Sequence, residues 1–195
     1  MKKIFNFSKV ILGAGLLVFT MNSCKNEPKH EDPKEVAEDV NDQKIDNDAV
    51  EDDADYLVDA AEINILEIEI GKLALQKGVS ADVKKYAQTL VTDHSKALDE
   101  LKDLATKKGI TLPAAISDDD RDKFDDLNKK SGADFDEKFI DMMADGHKQA
   151  VDKYTEISQK ATDADIKLWT SRQVTTLTTH HDVAKELKEK TEGNK

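Results

Sequence analysis

From about residue 54 onward the apolar positions recur every three to four residues, and no stretch shows the two-residue alternation of a strand. Four long helices follow from that rhythm. The first covers about 54–77, with Leu57, Ala60, Ala61, Ile68, Ala74 and Leu75 on one side and Lys77-Gly78 as its stop. The second covers about 80–108, capped by Ser80, with an inward stripe of Val83, Ala87, Leu90, His94, Ala97, Leu101 and Leu104. The third covers about 134–161, with Asp134 and Glu137 as a capping box and a stripe of Ile140, Met143, His147, Ala150, Tyr154, Ile157 and Ala161. The fourth covers about 164–192, opened by a second box at Thr162 and Asp165. Its stripe is Ile166, Trp169, Gln173, Leu177, His180, Ala184 and Leu187.

Short links join the first helix to the second and the third to the fourth. The two pairs are joined by a longer connector, in which Ser117 and the acidic run Asp118, Asp119, Asp120 open a short helix. The pattern predicts an all-α domain over 54–192, two helical hairpins packed as a four-helix bundle.

The chain before residue 54 behaves differently. Lys2, Lys3 and Lys9 precede an uncharged apolar run from Val10 to Phe19, too short to span a bilayer and suited to the core of an export signal. Ser23-Cys24 closes it and resembles the lipobox of bacterial lipoproteins. That likeness implies cleavage after residue 23 and lipidation of Cys24. It places the protein in the cell envelope, held through its lipid at the outer membrane, on the periplasmic side or the cell surface. Residues 25–53 carry 12 acidic and 4 basic side chains with Val36, Val40, Ile45 and Val50 scattered among them. Such a segment buries too little apolar surface to offset its ordering entropy, so 24–53 reads as a lipidated cysteine followed by an acidic, solvated tether.

Composition narrows the function. A charged fraction of 36% with three prolines suits long amphipathic helices, and a net charge of −12 argues against nucleic acid as a partner. The single cysteine excludes an intrachain disulfide and a cysteine-rich metal site. No glycine-rich phosphate loop or nucleophile elbow is present, and Met142-Met143 reads as core.

The polar residues on the inward stripes carry the candidate chemistry. His94, His147 and His180 each lie near the middle of a helix, so they fall at one level whichever way neighbouring helices run. Asn64 and Glu67 lie on the inward side of the first helix at the same level, and Asp93 and His181 flank the histidines in sequence. Three imidazoles and a carboxylate suit one divalent transition metal ion, with His94, His147, His180 and Glu67 as ligands and Asn64, Asp93 and His181 as supporting groups. The same residues also read as a buried polar network that sets the register of an alanine- and leucine-rich core, or as a partly solvated layer without a role. A ferritin-type di-iron centre needs Glu-x-x-His, and the residues three before His94, His147 and His180 are Val91, Ala144 and Leu177.

The order of Ala60-Ala61, Glu67-Ile68, Gly71 and Ala74, then Val91-Thr92-Asp93-His94, Leu112-Pro113, Phe135-Asp136, His147 and His180 resembles a family of uncharacterised exported bacterial proteins. These carry an outer-membrane label and are grouped with ferritin-like folds. The resemblance spans about 55–188 and implies a ferritin-like bundle, export and an unknown function. The expectation is a membrane-anchored envelope lipoprotein acting as a non-enzymatic binding or structural module, with metal binding through the histidine layer as the alternative.

Overall fold

The computed structural model describes residues 31–193; the signal segment and Cys24 lie outside the described residues. All six elements within them are α-helices: α1 (Pro33–Asp42), α2 (Asp48–Lys77), α3 (Ala81–Lys108), α4 (Asp118–Asn128), α5 (Gly132–Lys160) and α6 (Ala164–Gly193). No strand occurs among the described residues, and no described helix is long and apolar enough to cross a membrane.

α2 packs along α3 and α5 along α6, and the two pairs meet through α3 with α6 and α2 with α5. The apolar side chains form two clusters. One holds Leu57, Leu101, Tyr154, Ile157, Ile166 and Trp169. The other holds Ile70, Leu90, Phe135, Phe139, Met143 and Leu187. Each long helix runs from one cluster to the other, α2 and α6 in one direction and α3 and α5 in the reverse. Between the clusters every long helix contributes a buried polar side chain: Asn64 and Glu67 from α2, His94 from α3, His147 from α5 and His180 from α6. A polar layer therefore divides the core at mid-height.

Local capping sets most boundaries. Ser80 accepts from the Val83 N–H, and Ser117 from the Asp120 N–H. Gly109 closes α3 in the left-handed conformation, φ 71°, which favours glycine. Two expected boxes are replaced. α5 begins at Gly132 with Ser131 as its cap residue, two residues before the expected start at Asp134. At α6 the Asp163 carboxylate accepts from the N–H groups of Asp165 and Ile166. Thr162 instead donates its hydroxyl to Asp53, whose buried carboxylate also accepts from the backbone N–H groups of Thr162 and Asp163.

The larger departure is in the segment expected to be a solvated tether. α1 occupies Pro33–Asp42 and α2 starts at Asp48 rather than near 54. The Asp32 carboxylate caps α1, Pro33 stands at its first turn, and the same side chain accepts from the Asp118 N–H at the start of α4. α1 packs on α2. Polar contacts anchor it. Asn41, fully buried, donates to the Thr111 carbonyl at 3.0 Å and accepts from the Thr111 N–H at 2.8 Å. Lys34 pairs with Asp59 and Glu62. Ala37 is buried and Ile45 packs on the first apolar cluster, so few apolar residues accompany these polar anchors.

With α1 and α4 also packed on it, α2 buries more than one face, including Val58, Ile70 and Leu73 outside the expected stripe. Gly71 permits a close approach to α3. A Cβ there would stand 2.7 Å from Val91 Cγ2 and 3.3 Å from the Ala87 carbonyl oxygen.

Candidate metal centre

The stripes on α3, α5 and α6 turn His94, His147 and His180 inward, where they are 3%, 0% and 2% exposed. One ring nitrogen from each lies within 4.8 Å of the others. The ring centroids are 5.2–5.6 Å apart.

The outer partners decide which nitrogens carry protons. Asn64 donates its amide to the Ala60 carbonyl at 2.7 Å and to the Tyr154 hydroxyl at 3.1 Å. Its Oδ1 therefore faces His94 Nδ1, at 3.0 Å, and can only accept. His147 Nδ1 lies 2.9 Å from the Met143 carbonyl oxygen, again an acceptor. Both rings thus hold their proton on Nδ1, and both Nε2 atoms carry a lone pair. These two Nε2 atoms are 3.4 Å apart. His180 is turned the other way. Its Nε2–H donates to Asp93 Oδ2 at 2.9 Å, and its Nδ1 is buried without a partner. Each imidazole is fixed from outside by a carbonyl, amide or carboxylate oxygen, the arrangement that orients metal-binding histidines.

Burial and mutual repulsion keep the rings neutral. His94 is lowered well below its ordinary value by burial and by the neighbouring His147 and His180. His147 is lowered by burial to about 4, against the raising effect of its bond to Met143. His180 is lowered by burial, against the raising pull of Asp93.

Glu67 lies outside the group of three nitrogens. Its Oε1 is 3.9 Å from His147 Nδ1, the nitrogen already bonded to Met143, and its Oε2 is buried without a partner. One turn along α2 from Asn64, it stands behind His147, as Asn64 stands behind His94. Burial raises its pKa to about 8, so near neutral pH it is largely a protonated acid. Asp93, 40% exposed, serves as the orienting group of His180. His181 is half-buried, its Nδ1 3.7 Å from Asp182, and does not join the cluster; the next position on a helix points about 100° away from its neighbour. Met143 is core and Met142 packs beside it.

Two contributors escaped the sequence reading. Tyr154 holds Asn64 in orientation, and Tyr86 donates its hydroxyl to the His180 carbonyl at 2.9 Å while its ring lies beside His147 and His180. Tyr154 was visible as a stripe residue two turns from His147; nothing local in the sequence signals Tyr86.

Residues 39–187 match the family described as a domain of unknown function, DUF4142. The fold is similar to the crystal structure of a DUF305 fragment from Deinococcus radiodurans. The two share 10% identity at a TM-score of 0.64, over 71% of this chain and 95% of that one. None of the curated proteins matches.

Proposed function

The chain belongs to the DUF4142 family of unknown function, and for this member we propose a metal-binding role: one divalent transition metal ion held by His94, His147 and His180. The observation that carries the reading is the 3.4 Å approach of His94 Nε2 to His147 Nε2, in rings whose Nδ1 atoms both face acceptor oxygens, so that neither Nε2 has a proton to share. Two neutral acceptors at that distance repel; an ion between them reverses the sign. Ligand bonds of about 2.0–2.1 Å at a tetrahedral angle place two nitrogens about 3.3 Å apart, which matches. The unpartnered Nδ1 of His180 supplies the third donor. Three neutral imidazoles suit zinc, copper, nickel or ferrous iron over calcium or magnesium, which prefer oxygen. Glu67 supplies a carboxyl near the bound charge. A purely structural network leaves the facing lone pairs unexplained.

The test is metal analysis of protein purified without a histidine tag, followed by cobalt(II) titration. One equivalent with the visible bands of a tetrahedral nitrogen site is expected, lost in His147→Ala. Chain without bound metal that also fails to take up cobalt or zinc refutes the reading.

The same proposal covers the setting: a ferritin-like four-helix bundle formed by α2, α3, α5 and α6, exported and anchored through lipid on Cys24, as a non-enzymatic binding module of the envelope. The alternation of helix directions supports the first part, and the charged start, apolar run and Ser23-Cys24 junction the second. Cys24→Ser is expected to leave the membrane fraction and lose the lipid mass increment. Unchanged fractionation and mass refute the anchor.

A further inference from the structure

The four long helices are not equally sealed around the histidine layer. On the α6 stripe Gln173 is only half-buried, whereas Ile166, Trp169, Leu177, His180, Ala184 and Leu187 are all buried. Beside it, between α3 and α6, lies a small cavity of about 10 Å³ that touches Asn64, His94 and His180. A surface cleft of about 240 Å³ opens next to it, and the two share Asp93, Ala97, Gln173 and Thr176 in their walls. A second groove between the same helices, of about 250 Å³, also reaches His180. It is lined by Tyr86, whose ring lies against His147 and His180 and whose hydroxyl binds the His180 carbonyl.

We propose that a divalent cation enters and leaves the histidine site through the α3–α6 seam at Ala97, Gln173 and Thr176, with Asp93 as the last surface group it meets. The inference rests on the metal-binding reading above. A space of this size admits about one water-sized particle, so the ion must shed its hydration shell on the way in. Asp93, Gln173 and Thr176 line that passage, each with a side-chain oxygen able to replace shell water, while the outer cleft is bounded by both signs of charge, Glu100 with Lys96 and Arg172. Asp93 spans the boundary: its side chain is 40% exposed, yet one oxygen holds His180 Nε2. Inward, the small cavity reaches both His94 and His180, the latter with Nδ1 buried and unpartnered. In the second groove His180 is accompanied by Tyr86, a phenol already committed by its hydrogen bond.

Cobalt(II) loading of the full chain, followed by stopped-flow absorbance, and its extraction by EDTA test this. Thr176→Phe and the milder Gln173→Leu are each expected to slow both rates by about tenfold while the equilibrium affinity stays within about twofold, since a plug changes the barrier and not the site. Thr89→Phe, in the second groove, is expected to leave both rates unchanged. Loading at the wild-type rate in both seam variants overturns the proposal, as does slowing by Thr89→Phe alone. A loss of affinity that matches the loss of rate also overturns it, because the site itself is then damaged. Wild type that binds no cobalt overturns the metal reading together with its route.

Discussion

Replacing Glu67 by Gln should expose a loss of stability in mild acid that wild type conceals. In the unfolded chain an imidazole titrates near its ordinary value of about 6.5, so lowering the pH from about 7.5 to 5.5 charges most of it. In the folded protein His147, lowered to about 4, stays neutral over that interval. The unfolded state then binds more protons, and stability falls by roughly 1 kcal/mol for His147. The contribution is fully present above the unfolded value and is lost as pH falls toward the folded one. His94, lowered well below its ordinary value, acts in the same direction. His180 adds in the same direction. Glu67 has the opposite sign. Its folded pKa of about 8 exceeds the ordinary 4.5, so its contribution is fully present below 4.5 and is lost as pH rises through 8. Between the same two pH values it gives back roughly 2–3 kcal/mol as pH falls. Glu67 therefore offsets most of the histidine loss. Urea unfolding in EDTA at pH 7.5 and 5.5 should find Glu67→Gln losing roughly 2–3 kcal/mol more than wild type at the lower pH. A Gln variant equally stable at both refutes the neutral buried histidines. A wild type that loses as much as the variant refutes the proton on Glu67.

Asn41→Ala should cost about 2–3 kcal/mol in urea unfolding, because both Thr111 backbone groups lose their partner; a change under about 0.5 kcal/mol would mean α1 is not pinned there. Gly71→Ala should destabilise by about 1–2 kcal/mol despite alanine's better helix propensity, with partial recovery in the Gly71→Ala/Val91→Ala double variant; a stabilised single variant would disprove the tight α2–α3 approach. Asp93→Asn should weaken cobalt affinity by about 10–100-fold through loss of the carboxylate that orients His180, with unfolding cooperativity kept; unchanged affinity would remove Asp93 from the site.

The long helices and the depth of the histidine layer were legible because periodicity and mid-helix position are local properties of the chain. Every predicted stripe residue on α3 and α5 is buried, as the spacing of apolar side chains around a helix requires. α1 was not legible. Its anchors, Asn41 on Thr111 and Lys34 on Asp59 and Glu62, are polar and distant in sequence, and hydrophobic patterning cannot register them. The same holds for Asp53, which reads as one more acid in an acidic run until the fold sets it against Thr162 and Asp163.

At the site, the sequence by itself determined which residue types share a layer. Only the tertiary structure decided their roles. Asn64 and Glu67 sit one turn apart on α2, yet the former fixes the proton of His94 while the latter stands behind His147 outside the nitrogen cluster. His180 leaves Nδ1 without a partner, because Asp93 takes its Nε2–H, whereas His94 and His147 leave Nε2 facing each other. A ring's tautomer depends on the acceptor across the interface, within about 3 Å, and that acceptor is supplied by helix packing rather than by neighbours in the chain.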